Sequence, residues 1–147
     1  MGVSARPRKK YRPKAVNPGA HQWVVQGVQP VRYMSLCLDH KVKNASAFDD
    51  IRAGRAEPWH MGRLVAALKI AGCLTFVRDS LGADWRDAIR AGLDALMAAS
   101  ARGDELGRCV LTGTELTALS VAVEIHGQQL DECTLDELER AIRATFQ

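Results

Sequence analysis

The densest chemistry in the chain is a run of six cations in nine residues, Arg6-Pro-Arg-Lys-Lys-Tyr-Arg-Pro-Lys14. Ammonium and guanidinium groups on an extended segment can follow a phosphate backbone, and an interleaved aromatic ring can stack on a base. Arg6, Arg8, Lys9, Lys10, Arg12 and Lys14, with Tyr11, are therefore the candidate nucleic-acid-binding residues. Contacts of this kind would give salt-sensitive, sequence-independent affinity for DNA or RNA. The same charges also suit a solubilising tail, or a tail that docks on an acidic protein surface. Pro7 and Pro13 favour an extended arm.

A second concentration of charge has the opposite sign. Glu124, Asp131, Glu132, Asp136, Glu137 and Glu139 fall in a stretch, residues 124–139, without a single Lys or Arg. This is a candidate acidic docking patch for the arm of the same chain or of a second copy. The competing reading is an ordinary solvated helix end, because Asp136 and Glu137 suit a helix N-terminus. Either way, it argues against these last helices as a DNA-reading pair, since a recognition helix meets the duplex with neutral or basic residues.

Other chemistry is sparse. His21, His40, His60 and His126 are scattered, and the spacing of Cys37 with His40 supplies two ligands where structural zinc wants four. No metal site and no cofactor is expected. Cys37, Cys73, Cys109 and Cys133 form no C-x-x-C pair and read as small core residues of a reducing compartment. Phosphate-cradling glycine loops and the nucleophile elbow do not occur. Asp49-Asp50, Asp131-Glu132 and Glu124-Ile-His126 each splay their polar groups around a helix rather than converging them. No catalytic residues emerge, and the chain is expected not to be an enzyme.

The elements that carry these residues are helical. The chain has 147 residues, 47% hydrophobic but only 5% aromatic, a composition that leans toward helix packing. An all-α, single-domain bundle of about five helices with an extended basic N-terminal arm is the predicted fold. The arm covers residues 1–16, a short helix from Asn17-Pro18 to Gly27 with its linker covers 17–33, and the bundle covers 34–147.

Within the bundle, the first predicted helix places Leu38, Val42, Ala45, Phe48 and Ile51 on its inner face and ends at Gly54. Glu57-Pro58 opens a second with apolar residues on two sides, the mark of a central helix. The third is predicted to be capped by Asp84, to bury Trp85, Ile89, Gly92, Leu93, Leu96 and Met97, and to stop at Gly103. Thr112 with Glu115 and Thr134 with Glu137 have capping-box spacing and start the last two. Those helices carry Leu116, Leu119, Val123 and Leu130, then Leu135, Leu138, Ala141, Ile142 and Phe146. Trp23, Trp59 and Trp85 lie at helix starts, where they close core ends, although Trp also anchors interfaces. Gly62, Gly72, Gly82 and Gly92 permit close helix packing, including packing between subunits, so a homodimer fits the pattern.

Net charge is +3. The first fourteen residues hold six of the 20 cations and no acid, while the rest holds 14 cations against 17 acids. The positive excess therefore belongs to the arm and the body is mildly acidic. No apolar run is expected to reach the roughly 18 residues of a membrane span, and no apolar signal segment follows the basic start, which predicts a cytoplasmic protein without membrane contact.

Several pieces spread along the chain resemble a family of small, poorly characterised proteins encoded by phages and prophages of proteobacteria. They are Lys9-Lys-Tyr-Arg-Pro-Lys14 with Asn17-Pro18, Leu38-Asp-His-Lys-Val-Lys-Asn44, Gly54-Arg-Ala56, Leu116-Thr-Ala-Leu119, Glu124-Ile-His126 and Gln129-Leu-Asp131. Where that family has an L-K-I-K-N-H-like run, this chain has Ala45 after Asn44. The resemblance implies a bacterial host cytoplasm and an accessory or regulatory task, and it brings no catalytic residues. The expected function is nucleic-acid binding through the arm in phage replication or gene regulation. The alternative is a protein-binding modulator or inhibitor of a host factor or bacterial defence complex.

Overall fold

The computed structural model describes residues 36–147, and within them every regular element is helical. Helix α1 covers residues 36–52. It is followed by α2 (Pro58–Val77), α3 (Arg86–Leu106), α4 (Gly113–Glu132) and α5 (Leu135–Phe146). Two 3-10 turns, Asp79–Leu81 and Ala83–Trp85, join α2 to α3. This is the all-α bundle that the periodicity predicts. The basic arm and the 17–33 segment, with His21 and Trp23, lie outside the described residues.

Helix starts follow the sequence closely. Thr112 Oγ1 accepts the Glu115 amide at 3.2 Å, and Glu115 Oε1 accepts the Thr112 amide at 3.1 Å. Thr134 and Glu137 repeat the exchange at 3.2 Å in each direction. These reciprocal bonds satisfy amide donors that a bare helix end would leave open. At α2 a histidine takes the role of the usual Glu or Gln, with His60 Nδ1 accepting the Glu57 amide at 2.8 Å. The other ring nitrogen, Nε2, then carries the proton and donates to Asp50 at 3.0 Å. His60 thereby stitches the start of α2 to the last turn of α1.

Helix α2 is central, packing on α3 and α5 most extensively and on α4 as well. Leu64, Leu68 and Leu74 on α2 are fully buried, each contributing roughly 1.5–3 kcal/mol by leaving water. Leu64 and Leu68 join Leu96 of α3, Leu119 and Ala122 of α4, and Ala47 and Ile51 of α1 in one apolar cluster. Leu74 belongs to another, with Cys37, Leu81, Leu130, Cys133, Leu138 and Ala141. By length and hydropathy α2 also qualifies as a membrane span, at odds with the expectation that no such run exists. In the bundle 44% of that span is buried.

Several predicted faces are rotated or bounded differently. Helix α1 buries Cys37, Asn44, Ala47 and Ile51, whereas Leu38 and Val42 are 59% and 58% exposed and Ala45 is also outside. The sequence pattern favoured the larger apolar side chains, but small Ala47 and Cys37 are what fit against the neighbouring helices. Trp85, Met97 and Phe146 are likewise exposed rather than core residues. Trp59 is 60% exposed, so it closes no core end. Asp84 does not cap α3: it lies in the preceding 3-10 turn, and the cap position falls to Trp85, which makes no side-chain cap bond.

Among the glycines expected to permit close packing, only Gly92 brings two helices together. A methyl group there would overlap the Ala122 methyl of α4 and sit 3.2 Å from the Ala118 carbonyl. Gly62 and Gly72 face open space, and Gly82 instead takes the left-handed conformation, φ 98°, that turns the chain between the two 3-10 segments. Gly103 does not stop α3, which continues to Leu106. It is buried against Cys109, and Gly107 at φ 72° ends the helix.

Candidate functional site

The arm cations Arg6, Arg8, Lys9, Lys10, Arg12 and Lys14, with Tyr11, lie outside the described residues. The acidic stretch is fully described, and the fold supplies cations that its own sequence lacks. Asp131 accepts Lys41 of α1 at 2.8 Å. Glu137 receives Arg78 Nε at 3.0 Å, and the Glu132 carbonyl accepts the same guanidinium at 3.2 Å. Burial alone would raise the Glu137 pKa, but the bonds from Arg78 and Thr134 outweigh it and hold the carboxyl below its usual value. Glu124, Glu132, Asp136 and Glu139 are exposed. The patch is therefore two structural carboxylates, Asp131 and Glu137, with four solvated ones around them.

A groove of about 450 Å³ opens where α1, α2, α4 and α5 converge. Its polar lining is His40 and Asn44 from α1, Arg63 from α2 and His126 from α4, and its apolar walls include Ala67, Ile70, Ile142 and Phe146. Arg63 Nε is buried without a hydrogen-bond partner. His40 has its pKa lowered, first by burial and then by the Arg63 charge. Trp59 lines the groove and is anchored by its indole N–H donating to Glu57 Oε2 at 2.9 Å.

His126 is held by Gln129, one turn along α4. The Gln129 amide nitrogen donates to the carbonyls of Ala71 at 3.1 Å and Leu81 at 2.7 Å, so its oxygen must accept from His126 Nδ1 at 3.1 Å. That assigns the Nδ1–H tautomer by hydrogen-bond logic. The bonds tie α4 to α2 and to the turn that follows α2. Burial lowers the His126 pKa to about 4, only partly opposed by Gln129, and the nearby His40 pushes it the same way.

A histidine whose folded pKa lies below its unfolded value near 6.5 binds fewer protons folded than unfolded between those limits. Stability must then rise with pH through that window. On acidification from pH 7 to 4, His126 is expected to remove roughly 3 kcal/mol of unfolding free energy, from the size of the shift. His40 acts in the same direction. Denaturant melts across that range check this: His126→Leu should flatten the decline above pH 5, where the carboxylates have yet to protonate. An unchanged profile would show that His126 does not titrate this way.

A second surface joins α2, α3 and α5. Phe76 is 75% exposed, and the Arg86 guanidinium sits 4.0 Å from its ring centroid while donating to the Thr75 carbonyl at 2.9 Å. Lys69, Arg90, Asp87 and Asp94 surround the same depression, so its charge is mixed. No group of three or more metal-ligating side chains gathers among the described residues.

No family model, curated protein or solved structure matches this chain. The sequence reading found the charged segments but missed Arg63 and Gln129. A signal existed for the first, since Arg63 and Lys69 are the only Lys or Arg residues in the 20 residues of apolar α2. Gln129 offered less, because a polar residue beside Leu130 reads as surface until the partner carbonyls are in place.

Proposed function

We propose that this protein is a non-enzymatic phage or prophage accessory protein that binds nucleic acid through its basic arm, in replication or gene regulation in the host cytoplasm. The observation that carries this reading is how the body uses its own charge. Lys41, Lys43, Arg52, Arg55, Arg78 and Arg102 are each paired with a carboxylate of the same body. Beyond the first fourteen residues acids outnumber cations, 17 to 14. This balance of charge supports the arm as the chief source of phosphate affinity. Asp131 and Glu137 are already engaged, which weakens the C-terminal acids as a competing dock.

Counterion release sets the expected size of the effect. Six phosphate contacts predict that log affinity falls with log salt at a slope of about −5 on duplex DNA. Fluorescence anisotropy of the full chain with mixed-sequence DNA and RNA, over a salt series, measures it. Absence of binding at the lowest salt would reject the proposal.

The second reading, a protein-binding modulator of a host factor or defence complex, is favoured by the exposed Leu38 and Val42 on α1, four residues apart and hence on one helix face. A tagged pull-down with and without nuclease separates the two. A stoichiometric protein that survives nuclease supports the second reading, and loss of all captured material on nuclease treatment supports the first.

A further inference from the structure

We propose that the groove between α1, α2, α4 and α5 is a binding site for a small amphipathic monocarboxylate, with its carboxylate on Arg63 and its apolar body among Ala67, Ile70, Ile142 and Phe146. The site is distinct from the arm and does not depend on nucleic-acid binding.

Arg63 motivates the charge of the ligand. Among the described residues no carboxylate pairs with it, and it differs from the other unpaired arginines in having a buried donor, Nε, without an acceptor. Asp39 of α1, whose pKa is lowered chiefly by its bond with Lys43 and slightly by the Arg63 charge, is held by Lys43 at 2.8 Å. Arg63 Nε is buried without an acceptor, and the part of the Arg63 side chain that lines the groove can give a ligand carboxylate a charge-assisted bond. Every titratable group that lines the groove is a base: His40, Arg63 and His126. Asn44, buried on the facing helix, adds an amide that can donate to a second carboxylate oxygen.

Shape motivates the rest of the ligand. Arg63, Ala67 and Ile70 lie on one stripe of α2, and seven residues of helix span about 10 Å. Beyond the guanidinium the lining is largely apolar, with Ala67 and Ile70 of α2 opposite Ile142 and Phe146 of α5, and Phe146 is 65% exposed. A volume of about 450 Å³ lies in the range of small-molecule sites. One anionic head and roughly 10 Å of apolar body satisfy both ends. A polyanion is disfavoured because the groove is lined by one guanidinium, and an amine is disfavoured because no carboxylate lines it.

Calorimetric titration of the full chain with decanoate, decanol and decylamine tests the proposal. Decanoate is expected to bind at least about tenfold more tightly than decanol, with decylamine weakest. Arg63→Gln should bring decanoate down to the decanol affinity while leaving decanol unchanged. Phe146→Ser, at an exposed position, should weaken decanoate and decanol alike. Thermal melts confirm that each variant folds. Equal binding of decanoate and decanol by the unaltered protein, an R63Q variant that still prefers decanoate, or no binding of any of the three overturns the assignment.

Discussion

Deleting residues 1–14 is expected to lower affinity for mixed-sequence DNA by at least about a hundredfold at low salt and to flatten the salt dependence toward zero. The deletion removes six cations and no acid, turning net charge from +3 to −3. What remains is a body whose acids outnumber its cations, and such a surface repels phosphate. Thermal stability should hardly move, because the described residues form core clusters of their own, around Leu64, Leu68 and Leu96 and around Leu74 and Leu130. That pairing, lost binding with an unchanged melt, distinguishes a binding arm from a folding element. Arg-to-Lys exchanges across the arm should preserve most of the affinity, whereas Ala exchanges should erode it stepwise, each reducing the salt slope by about one. Retained binding in the truncated protein would move the interface to the body, where Lys69, Arg86 and Arg90 flank Phe76.

Gly92→Ala carries the largest expected effect on stability. In an exposed helix this exchange gains up to about 1 kcal/mol from propensity. At position 92 the new methyl would overlap Ala122 and crowd both the Ala118 carbonyl and the Leu68 side chain at 3.3 Å. Helices α3 and α4 must separate, which opens the cluster around Leu68, Leu96 and Leu119. A loss of roughly 2–3 kcal/mol follows from overpacking of this kind. Gly62→Ala is the control: it faces open space on α2 and should be neutral or stabilising. Moving the methyl across the interface, in Gly92→Ala with Ala122→Gly, should recover much of the loss. Urea melts of the four proteins decide the point, and a G92A variant as stable as the parent would refute the close contact.

The fold was legible because its boundaries are written in local chemistry. Thr112, Glu115, Thr134 and Glu137 sit where their side chains meet open amides, and that depends on spacing alone. The orientation of each helix was less legible. Leu38 and Val42 were expected inside on size, yet Cys37, Asn44 and Ala47 won, because which face turns inward depends on the partner surface. The site was least legible of all. The charged arm is plain in any reading, but the groove exists only once four helices converge. Its defining feature, an arginine without an acid, is a property of neighbours distant in sequence. The acidic stretch shows the reverse: acids that stand alone in sequence meet Lys41 and Arg78 in space.

Helix α5 has 12 residues, about the length at which an isolated helix is only marginal in water. It packs chiefly on α2 and is fastened at its start by Arg78 to Glu137, while its far end bears the exposed Phe146. Opening of this last element would uncover the groove from the α5 side. Leu138, Ile142 and Phe146 form one wall of that space, so the same fluctuation that frays the C-terminus also widens the door to it. Access to the groove and local unfolding of the chain end are then one event, which makes amide exchange along α5 a clock for ligand entry.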